Sequence, residues 1–426
     1  MSALKNEFID GVEAPPSRHP SLWRNRDFLI LWAGQIVSSV GTQMSMLTFP
    51  LLILAVTGSP AQAGLIGALR SLPYVVLVLP AGALIDRWDR KRTMLLCDTG
   101  RMIALGSIPA ALALGQLSTP LLAITSLVEG TLFTFFNLAE TACLPRVVPR
   151  EQLPAAVSLN SATDSVSMMI GPSLGGALYG LSRGLPFLTD AVSYAGSVIS
   201  LFFIRIEFQA ERTQPPEKLW LEIREGLSWL FHHPLLRFVA VLTGGLNLFS
   251  FGYALILIVF AQRMHASAFS IGVIFATGGV GSILGSLAVS PLQRRFTFGQ
   301  VMLGSTWFWA LTWPLYAFAP NIWILGLVNA FGFVVLPVYM GTQYSYRLTL
   351  IPDELQGRVN SVFKLIAFGG QPLSLALTGA LLQWFGPVTT IWLIFAPQVV
   401  LAAWATFNRP LRNAPSQSQI AQTLAR

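Results

Sequence analysis

Charge is scarce in this sequence. Asp, Glu, Lys and Arg make up 11% of the 426 residues, under half of the roughly 25% found in soluble globular proteins. A soluble protein of this length cannot cover its surface with so little charge, and a disordered chain needs more of it. Cysteine is almost missing. Cys97 and Cys143 stand alone with no metal-ligand spacing, which excludes a disulfide scaffold and a zinc site. Four histidines, His19, His232, His233 and His265, fall in expected loops and take no role. No G-x-x-x-x-G-K-[ST] loop occurs, which argues against ATP hydrolysis within the chain. No nucleophile, base and acid assemble near either expected membrane interface, so the chain is not expected to be an enzyme, and no metal or cofactor is expected.

What is present is apolar surface, at 53% of residues. A bilayer core about 30 Å thick needs roughly 20 apolar residues per helix. Such runs cover about 28–56, 62–85, 93–114, 120–143, 155–181 and 186–204, and then 238–261, 270–292, 298–318, 322–346, 359–385 and 388–407. The expected fold is therefore an all-α polytopic membrane protein with twelve transmembrane helices in two six-helix pseudo-symmetric halves. The first run is too long for a signal peptide and lacks a small-residue cleavage site.

The basic residues set the expected orientation. Lys5, Arg18, Arg24 and Arg26 lie on one side with Arg87, Arg90, Lys91, Arg92, Arg146 and Arg150. The same side takes the 205–237 segment, Arg294, Arg295, Arg347, Arg358 and the tail from Arg409, leaving Arg183 and Arg263 opposite. Both termini are then cytoplasmic and the number of spans is even. The net charge of +8 follows from topology, and no nucleic-acid partner is implied.

The halves resemble each other. Asn160-Ser161 precedes Pro172 as Asn360-Ser361 precedes Pro372, and Pro149-Arg150-Glu151 parallels Pro352-Asp353-Glu354. This suggests parallel repeats, which place a substrate near the midplane between them. The expected division is a tail at 1–27, a bundle at 28–206, a linker at 207–237, a second bundle at 238–408 and a tail at 409–426. In the linker, Leu219, Ile223, Leu227 and Leu230 share one helical face with Glu222 and Glu225 turned away, as in an amphipathic surface helix.

The loop after the second span reads Gly82-Ala83-Leu84-Ile85-Asp86-Arg87-Trp88-Asp89-Arg90-Lys91-Arg92. Gly82 permits close helix approach. Asp86 can cap a neighbouring helix N-terminus, and Arg90 can reach Glu140 at the end of span four. Such contacts would form a cytoplasmic gate; the bland alternative is that the basic residues only retain the loop in the cytosol. The segment resembles the signature of the major facilitator superfamily, with Asp89 where the pattern has a second Gly. Gly171-Pro172-Ser173-Leu174-Gly175-Gly176 in span five is similar to the Gly-Pro element of the superfamily's antiporters. The chain as a whole resembles the branch of macrolide-efflux and enterobactin-type siderophore exporters, through 144–151 and 357–361. That resemblance implies a monomeric transporter.

A charge at the bilayer centre costs about 2.5–3.5 kcal/mol on insertion scales. Arg70 and Glu129 each lie about nine residues in from the outer side, roughly 13 Å deep. Asp164 reaches a similar depth from the other side. Glu129 is expected to carry protons, with Arg70 as its charge partner and Asp164 as a second acid. A static Arg70–Glu129 bridge is the alternative. Asp98 and Arg101 would satisfy each other, and Asp190 and Lys364 would snorkel toward the interface. In the second half Asn247, Tyr253, Asn329, Tyr339 and Gln343 suit a bulky, partly apolar ligand. The expected function is export of amphipathic drug-like compounds or siderophores by proton antiport, with protons, a small-molecule substrate and membrane lipid as partners. The rival readings are a proton-coupled metabolite importer of the same fold and a non-transporting assembly or sensor protein.

Overall fold

The computed structural model describes residues 22–85, 87–206, 208 and 219–416. Among the described residues there are helices, turns and bends, and no strand. A first group of helices comprises α1 (Arg26–Thr57), α2 (Pro60–Ile85), α3 (Arg90–Ala113), α4 (Thr119–Val147), α5 (Leu153–Leu181) and α6 (Leu185–Phe203). A connecting helix follows, α7 (Leu219–His232). The second group comprises α8 (Pro234–Leu248), α9 (Tyr253–Arg263), α10 (Ala268–Arg295), α11 (Phe298–Ala317) and α12 (Ile322–Phe333). It continues with α13 (Val335–Leu350), α14 (Gln356–Phe368), α15 (Gln371–Phe407) and the short α16 (Arg409–Arg412).

Local chemistry sets the ends. Asn25 accepts from the Phe28 amide to start α1, and its Nδ2 donates 2.7 Å to the Val147 carbonyl, which ties α1 to the end of α4. Gly58, at φ 63°, closes α1 in a conformation that costs a residue with a Cβ. Asp89 caps α3 through the Arg92 amide. The residue that departs from the superfamily signature thus has a local task. Thr297 and Gln300 form a reciprocal capping box on α11.

Nine stretches among the described residues are long and apolar enough to cross a membrane. The last, Gln356–Phe407, covers 52 residues and bends at Gly386, where φ is 73°. This stretch also breaks between α14 and α15, and breaks between α8 and α9 and between α12 and α13 interrupt two others. Backbone freed inside a bilayer needs polar partners from the protein, and the α8–α9 break has them. Gln398 Nε2 donates 3.4 Å to the Leu246 carbonyl there and 2.7 Å to Ser250 Oγ, and Asn247 Nδ2 reaches across to donate 2.8 Å to the Ala367 carbonyl at the end of α14.

The apolar core differs between the two ends of the molecule. Toward the turns that follow α1, α3 and α5, one core joins both groups of helices, running from Leu52 and Phe187 to Ile258, Trp313 and Ile391. Toward the termini there are two cores. One gathers Phe28, Met94, Phe136 and Leu201. The other gathers Val239, Phe298, Tyr346 and Phe363. Glycines hold the joined end together. Gly64 on α2 faces Gly379 on α15, and Gly176 on α5 faces the Ala268 carbonyl on α10, so closely that a Cβ has no room. Ser59 Oγ also donates 2.8 Å to Gln383 Oε1 across this end.

The connecting α7 packs on α14, with Gly226 against the Arg358 backbone and Leu230 buried. Leu227, expected on its apolar face, is exposed; the close approach at Gly226 turns the packed face away from it. Nothing of Leu219 or Glu222 beyond their place in α7 belongs to the described structure.

Candidate functional site

The first six helices enclose a cluster of ionisable side chains. Its geometry starts at Gly130. A Cβ there would strike the Arg70 carbonyl, so α4 and α2 touch backbone to backbone. That contact places Glu129 beside Arg70, whose Nε donates 2.5 Å to Glu129 Oε2. From α3, Arg101 Nη2 donates 3.1 Å to the other oxygen, Oε1. Glu129 is therefore gripped by two arginines. Its side chain is 2% exposed, against 23% for Arg70.

Arg101 is the hub, and the helical spacing in the sequence did not mark it as one. Its Nη1 lies 3.5 Å from Asp98 Oδ1, the pairing expected along α3. Nη2 also donates to Thr42 Oγ1 on α1 at 3.4 Å. The guanidinium stacks 4.1 Å from the Tyr194 ring centroid on α6, and Tyr194 OH lies 3.0 Å from Thr42 Oγ1. A cation over an aromatic face in a dry site gains on the order of 2 kcal/mol. Five helices meet at this one side chain or at its partners.

Asp190 on α6 extends the cluster. It was expected to snorkel, and it is instead 0% exposed. Its Oδ2 accepts from Ser45 on α1 and its Oδ1 from Ser193. Gly41 on α1 leaves the space that the carboxyl fills. Tight packing of α1 on α6 keeps it from any interface. Asp164 on α5 stands apart from this group. It is exposed, and its Oδ1 accepts from Ser39 on α1 at 3.4 Å.

The loop after α2 differs from expectation in part. Gly82 has open space where a Cβ would stand, so no helix approaches it in this state. Asp86 lies outside the described residues. Arg90 Nη1 donates 2.8 Å to the Ala142 carbonyl, two residues past Glu140 on α4, and 3.3 Å to the Phe208 carbonyl. Lys91 Nζ donates 2.7 Å to the Ile204 carbonyl at the end of α6. Arg87 and Arg92 are exposed, Arg92 Nε being 3.7 Å from Asp89. Glu140 is half-buried near the terminal end of α4.

In α5, Gly171 and Gly175 press on Gln43 and Met44 of α1, and Gly176 presses on α10. The Pro172 carbonyl faces Gly272 of α10, and Gly279 of α10 faces Met169. Gly278, Gly281 and Gly285 of α10 face α12 and α13 instead. Of the polar residues expected to line a cavity, most are spent on internal bonds. Asn329 donates 2.8 Å to the Ile274 carbonyl and accepts from Tyr316 OH. Gln343 Nε2 donates 2.5 Å to Thr243 Oγ1, and Tyr339 OH lies 2.8 Å from the same oxygen. Asn247 donates to the Ala367 carbonyl at the end of α14, as described above. Tyr253, half-buried, sits between Phe275 and Phe333.

Comparison with known proteins bears on the family and the fold. The chain is 26% identical over 398 residues to the multidrug efflux pump Tap of Mycolicibacterium fortuitum, covering 90% of this chain and 96% of that one. It is 26% identical over 365 residues to the enterobactin exporter EntS of Salmonella typhi, covering 85% and 87%. Among solved structures, the nucleoside transporter NupG superposes with a TM-score of 0.70 at 15% identity, covering 89% of this chain and 98% of that one. A bacterial homologue of the lysosomal transporter Spinster superposes with a TM-score of 0.71 at 16% identity, covering 95% of each chain. At these identities the structural likeness concerns the fold. A family model described as transmembrane secretion effector matches residues 20–424, and the chain belongs to that family of major facilitator superfamily transporters, which are not enzymes.

Proposed function

We propose that this transporter is an exporter of amphipathic small molecules, drug-like compounds or siderophores, driven by proton antiport. The observation that carries the reading is the uneven core. The two helix groups share one apolar core at one end and keep separate cores at the other. A path between them is then closed at one end and open at the other, and rocking about the glycine contacts exchanges the two. Counting α5 and α11 as crossings, and 356–407 as two, makes twelve spans in two bundles. Both termini then lie on the cytoplasmic face of a bacterial inner membrane, where the basic loops gather. The protein acts as a monomer in lipid.

Arg70, Glu129, Arg101 and Asp98 form the coupling centre, since ionisable groups inside a membrane-spanning bundle are costly unless function retains them. Each proton moved inward supplies about 2.3 kcal/mol per 100 mV. Asp164 faces the path as a separate acid. Arg87, Arg90, Lys91, Arg92 and Glu140 belong to the cytoplasmic gate, with Asp86 completing it. A cleft of about 490 Å³ between α10, α11 and α13, lined by residues such as Leu292, Phe308 and Val338, is apolar enough to take a greasy part of a substrate. The export direction rests on the named activities of Tap and EntS.

The test is a host strain stripped of its own exporters and given this chain, grown on a compound panel with and without iron limitation. Ethidium accumulation should fall and should recover when a protonophore collapses the gradient. Accumulation that this chain never lowers for any compound contradicts the export reading. Accumulation lowered but indifferent to the protonophore contradicts proton coupling.

A further inference from the structure

The cluster among the first six helices does not balance in charge. Two guanidiniums, Arg70 and Arg101, meet three carboxyls, Asp98, Glu129 and Asp190. If all five were ionised, the cluster would hold one net negative charge away from water. A buried, uncompensated carboxylate takes up a proton instead. The geometry separates the three carboxyls. Glu129 has a guanidinium on each oxygen, the arrangement that best keeps a carboxylate ionised. Asp98 lies 3.5 Å from Arg101. Among the described residues Asp190 alone of the three has no guanidinium within ion-pairing distance, and its oxygens are bonded by hydroxyls, from Ser45 and Ser193. A hydroxyl can donate to a carboxylate or accept from a carboxylic acid, so the same partners serve both protonation states.

We infer that Asp190 holds the surplus proton in this state and is the carboxyl that exchanges it during transport. Glu129 is then the fixed anion between two cations. Ser45 is buried here; once the opposite state brings water to it, its Oγ takes the proton from Asp190 Oδ2 as it gives its own to that water. Asp190 is left a carboxylate, one turn along α6 from Tyr194, whose ring carries the Arg101 guanidinium. The surrounding charged and titratable groups are Arg70 on α2, Asp98 and Arg101 on α3, Glu129 on α4 and Tyr194 on α6 itself. From α5 comes Asp164, bonded to Ser39, about 9 Å along α1 from Ser45. The exchange part of this inference rests on the antiport reading above; the protonation part does not.

Infrared difference spectroscopy on the purified full chain at neutral pH reads the protonation directly. A protonated carboxylic acid has its own carbonyl stretch. Asp190→Asn, which mimics the neutral group, should fold and should lack one such band that Asp98→Asn retains. Ser45→Ala should shift the same band, because its hydroxyl partner is gone. A spectrum unchanged in both Asp190→Asn and Ser45→Ala overturns the assignment. In proteoliposomes, Asp190→Asn should let ethidium equilibrate but not accumulate against its gradient under an imposed pH difference. If the wild type accumulates ethidium and Asp190→Asn does so equally, the exchange role fails while antiport stands. If wild-type transport ignores the pH difference, the exchange role falls with the antiport reading, and the band remains the separate test of the buried proton.

Discussion

The two groups of helices bury different things. In α1–α6 the buried charges are paired and crowded, with Glu129 between Arg70 and Arg101 and with Asp98 and Asp190 close by. In α8–α15 one buried cation, Arg347, has no acid within ion-pairing distance among the described residues. Its Nε and Nη1 find no hydrogen-bond partner, and its guanidinium instead lies 3.7 Å from the Phe363 ring centroid. The surrounding polar groups, Thr243, Tyr339 and Gln343, are bonded to one another. Similar helices thus enclose an ionic knot on one side and a network of neutral hydrogen bonds on the other. A paired charge is expensive to break because each removal strands a partner. A lone cation over an aromatic ring strands nothing when it goes. On the proposed antiport, the first six helices would be the seat of coupling and the later ones the adaptable wall.

That contrast can be broken by substitution. The largest effect is expected for Glu129→Ala, which strands Arg70 and leaves Arg101 only Asp98 at 3.5 Å, and should cost about 3–5 kcal/mol. Thermal unfolding of the purified protein would show it as a clear fall in midpoint. Arg70→Ala combined with Glu129→Ala should cost less than the two single effects added. Gly130→Val comes next. The new side chain meets the Arg70 carbonyl, and forcing α2 from α4 should cost about 1–3 kcal/mol and abolish ethidium transport even where the protein still folds. Arg347→Met should be milder, under about 2 kcal/mol, since no acid is stranded. A loss as large as that of Glu129→Ala would erase the distinction between the halves. The smallest effect belongs to Asp164→Asn. Its side chain is exposed, so the unfolding midpoint should stay within about 0.5 kcal/mol of wild type, and any change should appear in substrate range instead.

Much of the fold is legible in hydropathy alone, because crossing a bilayer demands a length and a composition that few other structures share. The Arg70–Glu129 meeting is legible too, since both residues sit at the same depth counted from their helix ends. Depth says nothing of rotation. That is why Asp164, at a similar depth, turns out to face Ser39 instead of the cluster. It is also why Arg101, satisfied on paper by Asp98 one turn away, reaches across to α4. Asp190 was misread because its distance from a helix end suggested escape to the interface, whereas α1 seals it in. The only signal for it was the glycine and serine spacing of Gly41 and Ser45, which makes room and offers a donor. Gly82 has open space where a Cβ would stand; on the rocking proposed here, that space would close only in the opposite state, which a signature glycine alone does not tell.

One measurement bears on the centre of the account. Wild-type protein and the Asp190→Asn variant are placed in liposomes loaded with a pH-sensitive dye, and ethidium is added outside. The wild type should move protons outward as ethidium enters, in step with it, and Asp190→Asn should move ethidium with no proton counterflow. Ethidium crossing through the wild type with the internal pH unchanged would contradict a proton-coupled exporter built around these buried charges.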